Sequence, residues 1–259
     1  MQSLKEKVSI ITGASSGIGK ATAQHFASLG AFLSLWGRDE HALNETKRLC
    51  SKRGLPEAKI LCCKAEMTND AEVKAALDAT LARYGRLDIL INSAGIILNG
   101  SLRNTPLEDF DRVMAVNVRS IIYLTQQCIP HLIQSKGAIV NVSSTASTCA
   151  YPGVAYYCIS KAALDQFTKC LALDLAPEGV RVNSVNPGVI VTELHRRGGI
   201  TESQYKEFIE RAKMLHPLGR VGEADEVAAA ISFLASSSSS FITGELLKVD
   251  AGRALVSPR

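Results

Sequence analysis

Short apolar, β-branched runs alternate with longer amphipathic stretches along almost the whole chain, and this alternation constrains the fold more than any other feature. Residues 8–11, 32–35, 60–63, 88–92, 138–142, 180–185 and 246–249 read as buried strands. The intervening spacing predicts a helix over 21–29, stopped by Gly30, and one from a cap at Asp39 to about residue 53. A third runs from a cap at Asp70 to Tyr84, with Gly85 beyond it. Pro106 suits a first helical turn and opens a long helical stretch to about residue 134. Two more helices are expected over 155–176, ended by Pro177, and over 224–235. Strand and helix in strict turn imply a parallel sheet with helices on both faces. The expected class is α/β, with about seven strands in a single doubly wound sheet and the ligand crevice at the carboxyl ends of the strands.

No composition break or linker divides the chain, so residues 1–259 are expected to form one domain. The run 236–240, all serine, is short and reads as a solvated turn. The one long insert, at about 189–217, contains Arg196-Arg197-Gly198-Gly199, and an insert of that length beside a crevice is usually functional. The arginine pair could attract a carboxylate or an acidic carrier protein, or simply lie on a solvated loop.

Two local patterns carry chemistry. The first strand runs into Thr12-Gly13-Ala14-Ser15-Ser16-Gly17-Ile18-Gly19 and then into a helix. Glycines at such a turn allow positive φ and close approach of a ligand. The helix N-terminus presents free N–H groups to a pyrophosphate. The spacing is G-x-x-x-G-x-G rather than the general G-x-G-x-x-G. A Gly/Ser-rich surface turn is the bland alternative. Further on, Tyr157 and Lys161 stand one helical turn apart, with Ser144 thirteen residues upstream of the tyrosine. A phenol ordinarily titrates near ~10, and a neighbouring ammonium is expected to lower that value toward neutrality. A Tyr and a Lys four apart also occur by chance.

Thr12-Gly13-x-x-x-Gly17-x-Gly19, Asn92-Ser93-Ala94-Gly95, Asn117, Ser144, Tyr157-x-x-x-Lys161 and Pro187-Gly188 follow in the order and spacing of the short-chain dehydrogenase/reductases. The chain resembles that family over about residues 5–252. It departs at Ser93, where the family carries a second Asn, and at Glu66-Met67, where an Asp before an aliphatic residue is usual. Tyr156, beside the expected Tyr157, is a further departure and a rival proton donor lying off the face of Lys161. The resemblance implies a Rossmann-type fold and a catalytic set of Asn117, Ser144, Tyr157 and Lys161. Ser143 is the rival to Ser144. Tyr157 is then expected to exchange a proton with the carbonyl or alcohol oxygen and Ser144 to hydrogen-bond that oxygen, and the resemblance implies that Lys161 also holds a nicotinamide ribose. The resemblance assigns Asn117 a water that relays protons to Lys161; its alternative is a buried Asn bonding its own helix.

Cofactor contacts implied by the same resemblance fall on Gly13, Ser15, Ser16, Gly17, Ile18 and Gly19, then Asn92, Ala94 and Gly95. Glu66 and Met67 lie where the adenine edge is read, and Pro187, Gly188 and Thr192 follow the sixth strand. Thr192 could equally be a capping Thr. At the end of the second strand Gly37 stands where NAD-type members carry Asp, and Arg38 follows it. An acid there accepts from a ribose 2′-OH, whereas a guanidinium forks onto a 2′-phosphate. NADP(H) is therefore the expected cofactor. The bland reading of Arg38 is an ion pair with Asp39 or Glu40.

The expected activity is hydride transfer between NADP(H) and a carbonyl or secondary alcohol, as a carbonyl (keto) reductase. The alternatives are an NAD-dependent alcohol or steroid dehydrogenase and a non-catalytic NADP-binding regulatory protein. Thr145, Ala146, Cys149, Tyr151 and the insert are the pocket candidates. Net charge is only +4, with scattered basic residues, so nucleic acid is not an expected partner. No apolar run reaches a membrane span, the N-terminus leaves no room for a leader, and Ser257-Pro258-Arg259 does not fit a peroxisomal ending. Seven cysteines without a C-x-x-C pair, and five dispersed histidines, suit a reducing cytoplasm and no metal site. Apolar Ile121, Ile122, Leu164, Phe167 and Leu171 suggest a homo-oligomer, a tetramer or a dimer.

Overall fold

The structure is a computed structural model that describes residues 3–256; the expectations for the two chain ends lie outside them. Seven strands form one sheet in the order β3-β2-β1-β4-β5-β6-β7, every adjacent pair parallel. They are β1 (Val8–Thr12), β2 (Phe32–Gly37), β3 (Ile60–Lys64), β4 (Ile89–Asn92), β5 (Ala138–Val142), β6 (Arg181–Pro187) and β7 (Leu246–Val249). The helices are α1 (Gly17–Ser28), α2 (Glu40–Lys52), α3 (Asp70–Tyr84), α4 (Leu107–Met114), α5 (Ser120–Ser135) and α6 (Ala155–Leu175), then α7 (Leu194–Arg197), α8 (Glu202–Leu215) and α9 (Ala224–Ala235).

Side chains alternate across each strand, and the two faces feed two cores. Ile11, Leu33 and Ile91 pack with Phe26, Leu43 and Ile231 on the side of α1, α2 and α9. Val8, Ile10 and Leu90 pack with Leu77, Leu124 and Leu171 on the side of α3, α5 and α6. Strand order reverses between β1 and β4, which opens the crevice at the carboxyl ends of those strands.

Several local expectations are corrected. Helix α1 begins at Gly17, not at residue 21, with Ser16 at its N-cap. Asn69 rather than Asp70 caps α3, accepting from the amides of Ala71 and Glu72, because Asp70 is held by a bidentate pair with Arg119 at 2.7 and 2.8 Å. The serine run is solvated only in part: Ser237, Ser238 and Ser240 are exposed, while Ser236 and Ser239 are buried. Arg181 donates to Ser239 Oγ and to the carbonyls of Leu234 and Ser236, pinning the run to the start of β6. The insert folds as α7 and α8, the latter closed by a capping box between Thr201 and Gln204. The long helical stretch breaks into α4 and α5 at a π-helical turn, Ala115–Arg119. Ile121, Leu164 and Leu171 are buried within the chain and offer no surplus apolar face, whereas Ile122 and Phe167 are half-buried; Ile159 and Leu173 are the large exposed apolar residues of α6. No helix among the described residues is long and apolar enough to cross a membrane.

Candidate active site

Helix α6 carries Tyr157 and Lys161 into the crevice on one face. Tyr157 is 8% and Lys161 4% exposed, and the ammonium lies 5.6 Å from the phenol ring centroid. Lys161 Nζ donates to the Val142 carbonyl at the end of β5, at 2.8 Å. Burial holds its ammonium down to about 8, with the Asp165 carboxylate opposing. Burial also pushes the Tyr157 phenol up to about 12, and Ser144 opposes that shift. The expectation that Lys161 draws the phenol toward neutrality is not met in the protein alone: desolvation is the largest influence on the phenol, Cys158 adds to it, and the hydrogen bond with Ser144 opposes it.

Ser144 follows β5. Its hydroxyl accepts from the Ala146 amide at 3.1 Å, which opens a short 3-10 turn, and it interacts with Tyr157. Ser143, the rival, turns the other way and donates to the Lys161 carbonyl. Tyr156 is also excluded from the cleft. Its hydroxyl donates to the Thr105 carbonyl, and its ring meets Phe110 edge-on at 5.3 Å.

Asn117 sits in the π turn and is fully buried. A π turn inserts an extra residue into a helix and is frequent at functional sites. The side chain does not bond its own helix. It accepts from the Ile96 amide and donates to the Ile96 carbonyl, both at 2.8 Å, and donates to Ser160 Oγ at 3.0 Å. It thereby ties the loop after β4 to α6. That loop passes so close that a Cβ on Gly95 would lie 3.3 Å from Asn117 Oδ1 and 3.7 Å from Lys161 Nζ.

The glycine turn after β1 is built for close approach. Gly13 and Gly17 take left-handed φ of 65° and 52°, and a Cβ on Gly19 would stand 2.4 Å from the Gly13 carbonyl oxygen. Thr12 Oγ1 accepts from the amides of Ser93 and Ala94, both at 3.0 Å, locking the turn against the loop after β4. The Ser16 side chain makes no capping bond to α1, whose first turn holds no acid. Its orphan N–H groups are therefore left for an anion. Thr192 packs on Gly17, with Cγ2 3.2 Å from where a Cβ would be, and Arg197 of α7 donates to Ser16 Oγ at 3.1 Å. Ser15 Oγ lies beside Gly37 at the end of β2, and Ile18 packs onto the core beneath. These residues fit a dinucleotide.

The remaining expected contacts divide. Pro187 ends β6 in register with Val249. Gly188 has no space for a side chain, since a Cβ would meet His216 Nε2 at 2.8 Å. Asn92 directs its amide into the core, to Asn141 at 2.9 Å and Thr125 at 3.3 Å, and the residue is buried. Met67 is likewise buried in the core. Arg38 is 64% exposed and pairs with Glu66 at 3.3 Å, not with Asp39 or Glu40; Asp39 caps α2 instead. Thr192 accepts from the Leu194 amide at 3.4 Å, a weak local turn contact. Arg196 is held by Glu193 and Glu202.

Sequence reasoning missed Asp165, Asn186 and His216. Asp165 is buried one turn beyond Lys161 and accepts from Asn186 Nδ2 at 2.8 Å. Asn186 also donates to the Ser144 carbonyl and to Ser147 Oγ, so it braces the turn that carries Ser144. Spacing on the α6 face was the available signal for Asp165. His216 accepts from the Val189 amide and bonds the Ala212 carbonyl, fastening the far end of the insert to the crevice; nothing in the sequence marks it. Beside Tyr157, the buried Ile97 and Ala146 form an apolar wall with Tyr151, Val154, Cys158 and Leu194. Among the described residues no group of His, Cys, Asp or Glu could hold a metal ion.

A family profile described as enoyl-(acyl carrier protein) reductase matches residues 13–254. The chain is 38% identical to 2-(R)-hydroxypropyl-CoM dehydrogenase of Xanthobacter autotrophicus, over 94% of this chain and 97% of that one. A short-chain dehydrogenase/reductase of unknown function from Caenorhabditis elegans, solved with cofactor, superposes with a TM-score of 0.93 at 35% identity, covering 98% and 97% of the two chains. The 3-ketoacyl-(acyl-carrier-protein) reductase of Brucella melitensis, solved with NADH, gives a TM-score of 0.88 at 32% identity, covering 97% and 100%.

Proposed function

The chain belongs to the short-chain dehydrogenase/reductase family, and within it we propose an NADP(H)-dependent oxidoreductase working chiefly as a carbonyl reductase. The observation that carries this reading is the convergence of Ser144, Tyr157, Lys161 and Asn117 beside the glycine turn. Bound along that turn, a nicotinamide cofactor supplies the hydride in reduction and accepts it in oxidation. Gly13, Gly17, Gly19 and the α1 N-terminus would hold its pyrophosphate, with Ser15, Ser16, Ile18, Thr192 and Gly188 as the further residues that would bind it. The loop 92–95 would bind its adenosine ribose.

Tyr157 donates its proton to the carbonyl oxygen, or takes it from the alcohol. Ser144 donates a hydrogen bond to the same oxygen. Lys161, down at about 8, is poised to exchange a proton near neutral pH, and Asn117 holds the loop and α6 in register around it. The whole chain acts as one catalytic domain, with the insert 189–217 covering the substrate. A non-catalytic role is disfavoured by the presence of all four catalytic side chains. A reducing cytoplasm suits the seven unpaired cysteines.

Arg38 supports NADP(H), because its exposed guanidinium stands at the end of β2 with Gly37 in place of an acid. One observation favours an NAD-dependent alcohol or steroid dehydrogenase instead: Glu66, 3.3 Å from Arg38, competes for that guanidinium. Initial rates with NADPH and NADH over ketones, diketones, quinones and β-ketoacyl thioesters decide between the two. Tyr157→Phe should lower kcat by at least about 10²-fold in a folded protein that still binds cofactor; near-normal kcat would remove Tyr157 from its role.

A further inference from the structure

The turn after β7 brings a cation to the substrate side of the crevice. Asp250 shapes that turn, its carboxylate accepting from the amides of Gly252 at 3.0 Å and Ala254 at 2.8 Å. Ala251 and Gly252 both take left-handed φ, 52° and 81°. A left-handed alanine is disfavoured, so the bonds from Asp250 hold the backbone there. Packing helps, since a Cβ on Gly252 would touch Pro217 at 3.2 Å. The turn delivers the Arg253 guanidinium to 5.3 Å from the ring centroid of Tyr151. Tyr151 belongs to the reaction side: its hydroxyl is 3.3 Å from Thr145 Oγ1, next to Ser144, and its ring joins the apolar wall at Tyr157.

Other arginines around the crevice have partners. Arg196 is paired with Glu193 and Glu202, Arg197 with Ser16 and Arg38 with Glu66. Among the described residues Arg253 has no carboxylate partner, only the aromatic face beneath it. A guanidinium set on an aromatic ring keeps its planar fork of donors for a carboxylate, and a partly buried charge left unpaired next to an apolar wall favours an anionic ligand.

Resting on the reductase reading, we propose that Arg253 is a specificity-determining residue, and that the favoured substrates carry a carboxylate remote from the reacting carbonyl. The apolar wall at Tyr157 takes the chain between the two groups, and Tyr151 separates the reacting end from the charged end.

The test is kcat/KM for levulinate and its next two higher homologues against their methyl esters, in wild type, Arg253→Met and Arg253→Lys. Methionine keeps an apolar stem over Tyr151 and removes the charge. The acid-to-ester ratio should fall at least about tenfold in Arg253→Met, recover in part in Arg253→Lys, and shrink with added salt in the wild type. An acid-to-ester ratio that is the same in wild type and Arg253→Met, with carbonyl compounds still reduced, overturns the proposal and leaves the reductase reading intact. If no compound is turned over, the reductase reading itself fails. Calorimetric titration of the same acids onto wild type and Arg253→Met then decides separately: weaker binding to the variant upholds the anion site, and equal binding overturns it.

Discussion

Replacing Lys161 with methionine should change how stability depends on pH, by an amount that the burial of the ammonium sets. Lys161 is 4% exposed, and desolvation holds it down to about 8 against an ordinary 10.5. The unfolded chain regains the ordinary value. Between about pH 8 and 10.5 it therefore binds a proton that the folded chain does not, and stability rises with pH across that window. The contribution is lost as pH falls through 8. At about 1.36 kcal/mol per pKa unit the full window amounts to about 3 kcal/mol.

The substitution also deprives the Val142 carbonyl of its donor, a cost of about 1–3 kcal/mol that does not vary with pH. The quantity to follow is thus the stability of wild type minus that of Lys161→Met. Urea unfolding at one protein concentration should show this difference growing by about 2 kcal/mol between about pH 7 and 9.5. Tyr157, pushed up to about 12, pulls stability down only as pH climbs above about 10, and it does so in both proteins. Parallel pH curves for the two proteins would mean that Lys161 keeps its ordinary proton affinity, and would refute the desolvation argument.

Gly37→Asp with Arg38→Ala should invert cofactor preference toward NADH, read as the ratio of kcat/KM values. The wild-type preference is expected at roughly tenfold, the low end for a charge-assisted contact, because Arg38 is 64% exposed and shared with Glu66. A wild type that already prefers NADH refutes the argument. Arg197→Ala should weaken NADPH binding by about three- to tenfold at low salt, followed by nicotinamide fluorescence, because Arg197 reaches the α1 N-terminus at Ser16; an unchanged Kd would confine it to the insert. Light scattering at micromolar concentration should give a tetramer or dimer, since Ile159 and Leu173 on α6 are exposed at 48% and 78%; the mass of one chain would rule this out.

Much of the fold was legible because it is periodic. Strands buried on both faces read as continuous apolar runs, and all seven stand close to their expected positions. The misplacements fall at element ends, where one side-chain contact decides. Asp70 has the chemistry of a cap, but Arg119, forty-nine residues away, takes its carboxylate and leaves the cap to Asn69. The serine run has the composition of a solvated turn, and Ser237, Ser238 and Ser240 are exposed, yet Arg181 binds Ser239 Oγ and the Ser236 carbonyl and those two serines are buried. In each case the competing partner is remote in sequence.

The same distinction runs through the site. Tyr157, Lys161 and Asp165 share one helix face, so periodicity alone sets them side by side. What Asp165 does depends on β6, where the register pairing Asn141 with Ser184 brings Asn186 beneath the turn that carries Ser144. Asp165 then acts in two directions. Its charge opposes the desolvation of Lys161, and its oxygen fixes the amide that braces Ser144 and Ser147. A neutral side chain of the same shape could keep the second role and would lose the first. The carboxylate matters here because a buried ammonium with no countercharge would give up its proton still more readily. The ionisation of Lys161 is thus set by the packing of two strands and a helix as much as by the Tyr-x-x-x-Lys spacing that makes it recognisable.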